Sequence, residues 1–263
     1  MTEEETATEE SEPAASAAAA LHDLERQAAD RRVLRVRDDP AFVLTTRSWK
    51  ESSVIAECFT RRHGRQVLAV RGAKRPGSQF RGLINPFCPL LINYSGAGEV
   101  RNLTAARWLG SLLPAASGAL LSAFYANELV LRFTMREEPQ PELFDCYTRT
   151  LTALCRAEAV QRTLREFEVD VLRQAGWARQ ASPADEFTDC YLRDGMLLPA
   201  ETVQPDPEER AVPAAVVKAI LTRDFSDASV LVPSRNVLRV VIGYYVGARG
   251  LAVRRTMADW QKF

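Results

Sequence analysis

The chain has 263 residues, 46% apolar and 8% aromatic, enough for a buried core in one large domain or two to three small ones. Its 34 basic and 34 acidic residues cancel, an average that taken alone argues against electrostatic capture of a polyanion. No apolar run approaches the ~20 residues of a membrane span, and the acidic start lacks the basic and apolar regions of a secretory signal, so a cytoplasmic protein without membrane contact is expected.

The average conceals segregation. Residues 1–30 hold nine acidic residues and one basic residue, Arg26, a net of −8, with two leucines and no aromatic. Such a segment cannot bury enough apolar surface to offset the entropy of its own ordering, and disorder is expected there. Residues 31–82 reverse the balance with thirteen basic against four acidic residues, a net of +9. A basic segment behind an acidic extension is the footprint of a polyanion-binding face with a tail attached.

From Ala41 the pattern becomes short runs of β-branched and aromatic residues between charged or glycine-bearing turns. Five strands are predicted: Phe42–Arg47, Val54–Phe59, Gln66–Arg71, Leu90–Tyr94 and Val100–Thr104. The turns are Lys50–Ser52, Arg61–Gly64, the long loop Gly72–Pro89, and Ser95–Glu99. Five short strands with no intervening helix long enough for a crossover predict a small closed antiparallel barrel of the OB or SH3 kind. Past Ala105 the apolar spacing lengthens to the helical period in Leu120–Leu131, Leu143–Leu154 and Val160–Leu172, with the proline-bearing Arg136–Pro141 between the first two and Gly176 ending the third. A hairpin is predicted around Tyr191–Leu198, then helices at Pro213–Thr222 and Ser234–Ala248, the latter started by Pro233 and Ser234. The fold class is therefore α+β. An acidic extension (1–30) precedes a barrel domain (31–110), then a helical domain (111–255) with an irregular insert at about 177–210, and a tail (256–263).

Catalytic groups are scarce. Of two histidines, His22 falls in the acidic extension and His63 in a charged turn, where a solvated imidazole is the plain reading. Gly72-Ala-Lys-Arg-Pro-Gly77 has the glycine spacing of a phosphate loop, but Ser78 stands where its lysine belongs. Glu166 and Glu168, two apart on a helix, face different directions. Glu128 has Arg132 at i+4, which points to a structural ion pair. Five cysteines, Cys58, Cys88, Cys146, Cys155 and Cys190, include no CxxC pair and read as small hydrophobes. No catalytic residue, cofactor or metal site is predicted, and the chain is not expected to be an enzyme.

The basic residues remain. Arg47 and Lys50 flank the first turn, Arg61, Arg62 and Arg65 fill the second, and Arg71, Lys74, Arg75 and Arg81 line the long loop. Converging on one rim of a small barrel, they would form one continuous groove for a phosphate backbone. Trp49 and Phe80 sit among them, where an exposed ring could stack on bases. The alternative is that these cations only solvate the barrel, although a solvating surface would mix in more acids than this one does.

The string Phe42-Val-Leu-Thr-Thr-Arg47-Ser-Trp-Lys-Glu51, followed by Phe59-Thr60, Gly64-Arg65, Arg71-Gly-Ala-Lys-Arg75, Gly82-Leu-Ile-Asn-Pro86-Phe87 and Gly96-Ala-Gly-Glu99, resembles the N-terminal domain of the bacterial RecO recombination-mediator family. The likeness continues through Tyr125-Ala-Asn127-Glu128-Leu129 with Arg132, Glu142-Leu143-Phe144, Leu164-Arg165-Glu-Phe167-Glu168, and Tyr245-Val-Gly247 with Leu251 and Arg254, over about residues 40–255. The resemblance implies an OB fold and a helical C-terminal domain. It also implies binding of single- and double-stranded DNA, annealing of complementary strands, and action with RecR and the single-stranded DNA-binding protein SSB to load RecA, in the cytoplasm at the nucleoid. The position matching the family's arginine for the acidic tail of SSB is Arg165; the plain alternative is an exposed helix arginine paired with Glu168 or Glu158. Many relatives carry a four-cysteine zinc module in the region of 177–200, where this chain keeps only Cys190, so no metal is expected. The reading weighed against this one is an OB-type RNA-binding protein of translation or RNA metabolism.

The acidic extension has no counterpart in the resemblance, and its charge suits it to compete with DNA for the basic segment. Deleting residues 1–30 is expected to tighten DNA binding at low salt and to matter less as salt screens the competition. Titration of a labelled oligonucleotide at several salt concentrations checks this; unchanged affinity would remove the idea.

Overall fold

A computed structural model describes residues 34–114, 117–177, 185–206, 209–247 and 250–253. The acidic stretch 1–30, the tail 256–263 and Ala248 lie outside the described residues. Five strands, β1 (Leu34–Trp49), β2 (Ser53–Thr60), β3 (Gly64–Val70), β4 (Pro89–Gly96) and β5 (Val100–Trp108), close on themselves in the order β1-β2-β3-β5-β4. Neighbours are antiparallel except β3 and β5, which run parallel with Val67 opposite Val100. This is the connectivity of an OB barrel.

Alternation decides what each strand buries. Val43, Ala56, Cys58, Leu68, Val70, Leu90, Ile92, Tyr94 and Leu103 fill the barrel. Phe42, Leu44 and Phe59, one position out of phase, leave the barrel and join the core of the helices. The strand β1 starts at Leu34, well before the predicted Phe42, and there the sequence pattern misleads for a physical reason. A register shift between Val36 and Asp39 breaks the alternation. Asp39 is fully buried, its carboxylate held by the Arg62 amide and guanidinium at 3.2 and 3.3 Å and by His63 Nδ1 at 2.6 Å. A charged residue paired in this way looks like a loop in sequence.

The helices follow as α1 (Ser117–Phe133), α2 (Pro141–Cys155), α3 (Val160–Gln174), α4 (Ala214–Thr222) and α5 (Leu231–Val246), with a hairpin of β6 (Cys190–Arg193) and β7 (Met196–Pro199) between α3 and α4. The central helix α3 packs on α1, α2 and α5. The last helix begins at Leu231 rather than at Ser234. A 3₁₀ turn over Ala228–Val230, capped by Asp227 accepting from the Ser229 amide at 2.8 Å, leads directly into it. Pro233 is tolerated because a first-turn residue needs no amide donor. Glu128 pairs with Arg132 at 3.7 Å as the spacing predicts, and its carboxylate also accepts the amides of Ala252 and Val253 at 2.7 and 2.9 Å, fastening residues 252–253 to α1.

The barrel is seated on the helices through aromatic contacts. Phe42 meets Tyr147 edge-on at 5.1 Å and Phe144 at 5.5 Å, and Phe59 lies 5.4 Å from Phe144. The Asn127 amide donates to Leu44 O at 3.0 Å. Approach is closest at Gly64, whose φ is +68°; a Cβ there would lie 2.0 Å from Glu138 O, so only glycine fits.

Truncating a fully buried ring at this junction removes its contacts with both units. Phe59→Ala is expected to lower stability by ~3–5 kcal/mol, measured by urea unfolding.

Candidate nucleic-acid interface

In a run of hairpins, successive turns alternate between the two ends of the sheet. The β1–β2 turn and the β3–β4 loop therefore share one rim, and the β2–β3 and β4–β5 turns share the other, about 25 Å away for strands the length of β2. The predicted basic residues divide along this line.

On the first rim, the β3–β4 loop is tied to the β1–β2 turn by the Lys74 amide to Ser52 O at 2.9 Å and the Gly72 amide to Ser53 Oγ at 3.2 Å. It then runs over the barrel opening to β5, where Gln79 reaches Thr104 O, and to β1, where Pro86 bridges Val43. Its apolar residues Ala73, Phe80, Leu83 and Ile84 close the barrel core, while Lys74, Arg75 and Arg81 are exposed. Arg47 and Lys50 are exposed beside them, and Arg71 is oriented by Asn102 Oδ1 at 3.0 Å. Arg47, Lys50, Arg71, Lys74, Arg75 and Arg81 ion-pair with no carboxylate among the described residues. Six uncompensated cations from two connections thus stand on one end of the barrel.

The second rim faces the helices, and most of its cations are spent on structure, with Arg35 and Arg37 at the start of β1 left exposed. Arg61 forms a bidentate pair with Asp145 of α2 at 2.9 Å for both bonds. That bonding holds the Asp145 carboxyl below the usual carboxylate range and lifts the guanidinium further. A depressed carboxyl contributes stability above its unfolded pKa and loses it only as pH falls through the lowered value, so this pair is intact at neutral pH. Arg62 folds back on β1 to Asp39 and to Arg37 O at 2.8 Å. Arg65 bonds Glu57 and donates to Thr134 O at 2.9 Å. Arg136 joins Glu57 at 3.4 Å and Arg101 joins Glu137 at 2.8 Å. The expected single groove through Arg61, Arg62 and Arg65 is therefore corrected: those three sit at the opposite end, where Arg61 and Arg65 hold the junction and Arg62 braces β1.

The aromatic expectations divide as well. Phe80 is 7% exposed and belongs to the barrel core, so it offers no open ring face to a strand. Trp49 packs on Ile55, Val67 and Ala69 and carries the Lys50 ammonium 4.6 Å from its ring centroid, which fixes that cation in place. Sequence reasoning missed Asp145 and Glu57 as the partners that neutralise the second rim, and Asn102 as the residue aiming Arg71. The alternation of turns between ends was the signal that could have separated the arginines. Cys58, inside the barrel, has its thiol pushed up to about 12 by burial and by Glu57, which removes it as a nucleophile at neutral pH.

Arg165 differs from expectation. It is 4% exposed, and Nε and NH2 each bond Glu168 at 2.6 Å, with the Tyr125 hydroxyl also donating to Glu168 at 2.7 Å. A guanidinium occupied and buried in this way presents no free charge to an incoming carboxylate.

Residues 35–112 match the family described as Recombination protein O N terminal, and residues 117–182 match Recombination protein O C terminal. A DNA repair protein RecO of Burkholderia orbicola is 38% identical over 237 residues, spanning 86% of this chain and 84% of the relative. The chain belongs to the RecO family of DNA repair proteins. The RecO proteins of Ralstonia nicotianae, 38% identical over 247 residues (87% and 86%), and Polynucleobacter asymbioticus, 35% over 240 residues (87% and 98%), agree along nearly the same span. In this RecO chain no described helix is long and apolar enough to cross a membrane.

Glu168→Gln leaves the Arg165 charge buried without its counter-ion and is expected to cost ~3–5 kcal/mol, measured by chemical denaturation.

Proposed function

We propose that this chain acts in recombinational repair as a non-enzymatic mediator that binds single- and double-stranded DNA, anneals complementary strands, and works with RecR and SSB to promote loading of RecA on the nucleoid. The observation that carries the reading is the charge asymmetry of the barrel. Among the described residues its outward rim has six cations without counter-ions, while Arg61, Arg62, Arg65 and Arg101 at the rim turned to the helices are paired. A phosphate backbone laid along the outward rim exchanges its condensed counterions for those side chains and releases them to solution, a contribution that needs no base sequence. This suits a protein that must accept any two complementary strands. Cations lying between two strands also let one protein hold them close enough to pair, since they screen the repulsion of the two backbones. Arg165, buried and paired with Glu168, offers no free guanidinium to an SSB tail.

If four to five of the six cations touch phosphates, the logarithmic salt slope on single strands is about −3. Replacing Lys74, Arg75 and Arg81 together by alanine is expected to flatten that slope by about 2 and to slow annealing of SSB-coated complementary strands. Replacing Arg61 and Arg62 should leave the slope unchanged. Equal effects of the two sets, or a wild-type slope near zero, would contradict the reading. Competition by matched RNA and DNA oligonucleotides checks the preference for DNA.

A further inference from the structure

A cleft of about 120 Å³ opens at the outward rim, between the β1–β2 hairpin and the β3–β4 loop. Thr46, Val54, Phe80 and Ile84 line it, with Lys74 and Arg81 at its edges. Thr46 lies opposite Ala56, whose side chain is in the barrel core, so Thr46 takes the inward phase of β1. It is nevertheless exposed, because the strand has run past the layer of core residues. The cleft therefore leads from solvent onto the end of the barrel core, with the buried Phe80 in its lining.

A lining that mixes apolar side chains with a hydroxyl and two cations suits a ligand with a flat, partly polar body and anions beside it. By liquid volume the space holds about four waters, on the scale of one planar heterocycle and too small for a base pair. A duplex keeps its bases stacked and paired, and turning one out costs a few kcal/mol; a single strand has little of that cost.

We infer that this cleft receives one unstacked base of single-stranded DNA while Lys74 and Arg81 hold the adjoining phosphates. The inference rests on the phosphate-binding rim proposed above and adds to it a preference for single strands, which the charges by themselves do not supply. Thr46 offers the one hydroxyl in the lining, able to donate to or accept from any base edge, so the site discriminates little between bases.

Thr46→Phe fills the cleft and leaves every charge in place; Ile84→Phe fills it from the loop side should the first variant fold poorly; Thr46→Val keeps its volume. Fluorescence anisotropy with one oligonucleotide, single-stranded and then as duplex, reads the effect, with thermal unfolding confirming that each protein is folded. Filling is expected to weaken single-strand binding about tenfold, the scale of one base contact, with duplex affinity and salt slope unchanged and Thr46→Val like wild type. Wild-type single-strand affinity in a folded, filled variant would overturn the inference. So would an equal loss on duplex, which would make the cleft a phosphate contact only. Neither result touches the rim itself, whose failure shows separately as a missing salt dependence in the unmodified protein.

Discussion

The contact of Phe42 and Phe59 with Phe144 and Tyr147 decides which part of the barrel is available to anything else. Those rings come from the outward phase of β1 and β2, where an isolated barrel would face water, and here they are fully or almost fully buried. Burying aromatic area on this scale is the strongest local driving force in the chain. It brings the β2–β3 turn against the α1–α2 connection closely enough that Gly64 has no alternative. Once that end is covered, the cations drawn into the contact must find a carboxylate or a carbonyl, and Asp145, Glu57, Asp39 and Glu137 supply them to Arg61, Arg65, Arg62 and Arg101.

The other end inherits the opposite condition. Among the described residues the β1–β2 turn is packed by the protein's own β3–β4 loop, which uses its apolar residues as a stopper and leaves its charges outside. Glu51 is the sole acid within that turn. A strongly basic barrel thus acquires a polar axis, its charge largely paired toward the helices and unpaired toward solvent. Placement, rather than the number of arginines, makes the surface selective for polyanions.

Much of the architecture could be read from the residues. The five strands, the three long helices and the hairpin near Tyr191 declare themselves by period and by turn chemistry, because each buries one face against a single neighbour. The first half of β1 does not: its pairing with β4 is interrupted by a bulge, and Asp39 satisfies its charge through residues more than twenty positions away. The same blindness to distant partners explains Arg61, whose carboxylate comes from α2, and Arg65, which reaches Thr134; the Arg165 pair with Glu168 is local, and what the residues do not declare is its burial. An arginine's composition signal is identical whether it meets a phosphate or a carboxylate folded in from another element. The ion pair of Glu128 with Arg132 was legible because it is local; its amide donors from Ala252 and Val253 were not. Phe80 shows the converse error, a ring surrounded by charged neighbours in sequence that turns inward because a long loop must cover the open end of a barrel.

The fastening of residues 252–253 to α1 bears on how the chain is made. The barrel and α1 leave the ribosome early, with the Glu128 carboxylate among apolar neighbours and its backbone donors still to be synthesised more than a hundred residues downstream. During translation Arg132 is its local counter-ion, so the helical half stays provisional until residues 252–253 have emerged, whereas the barrel's hydrogen-bonded strands are all present by Trp108. A nascent chain that stops short of those residues would carry a finished barrel on an unlatched bundle, a form more open to proteolysis.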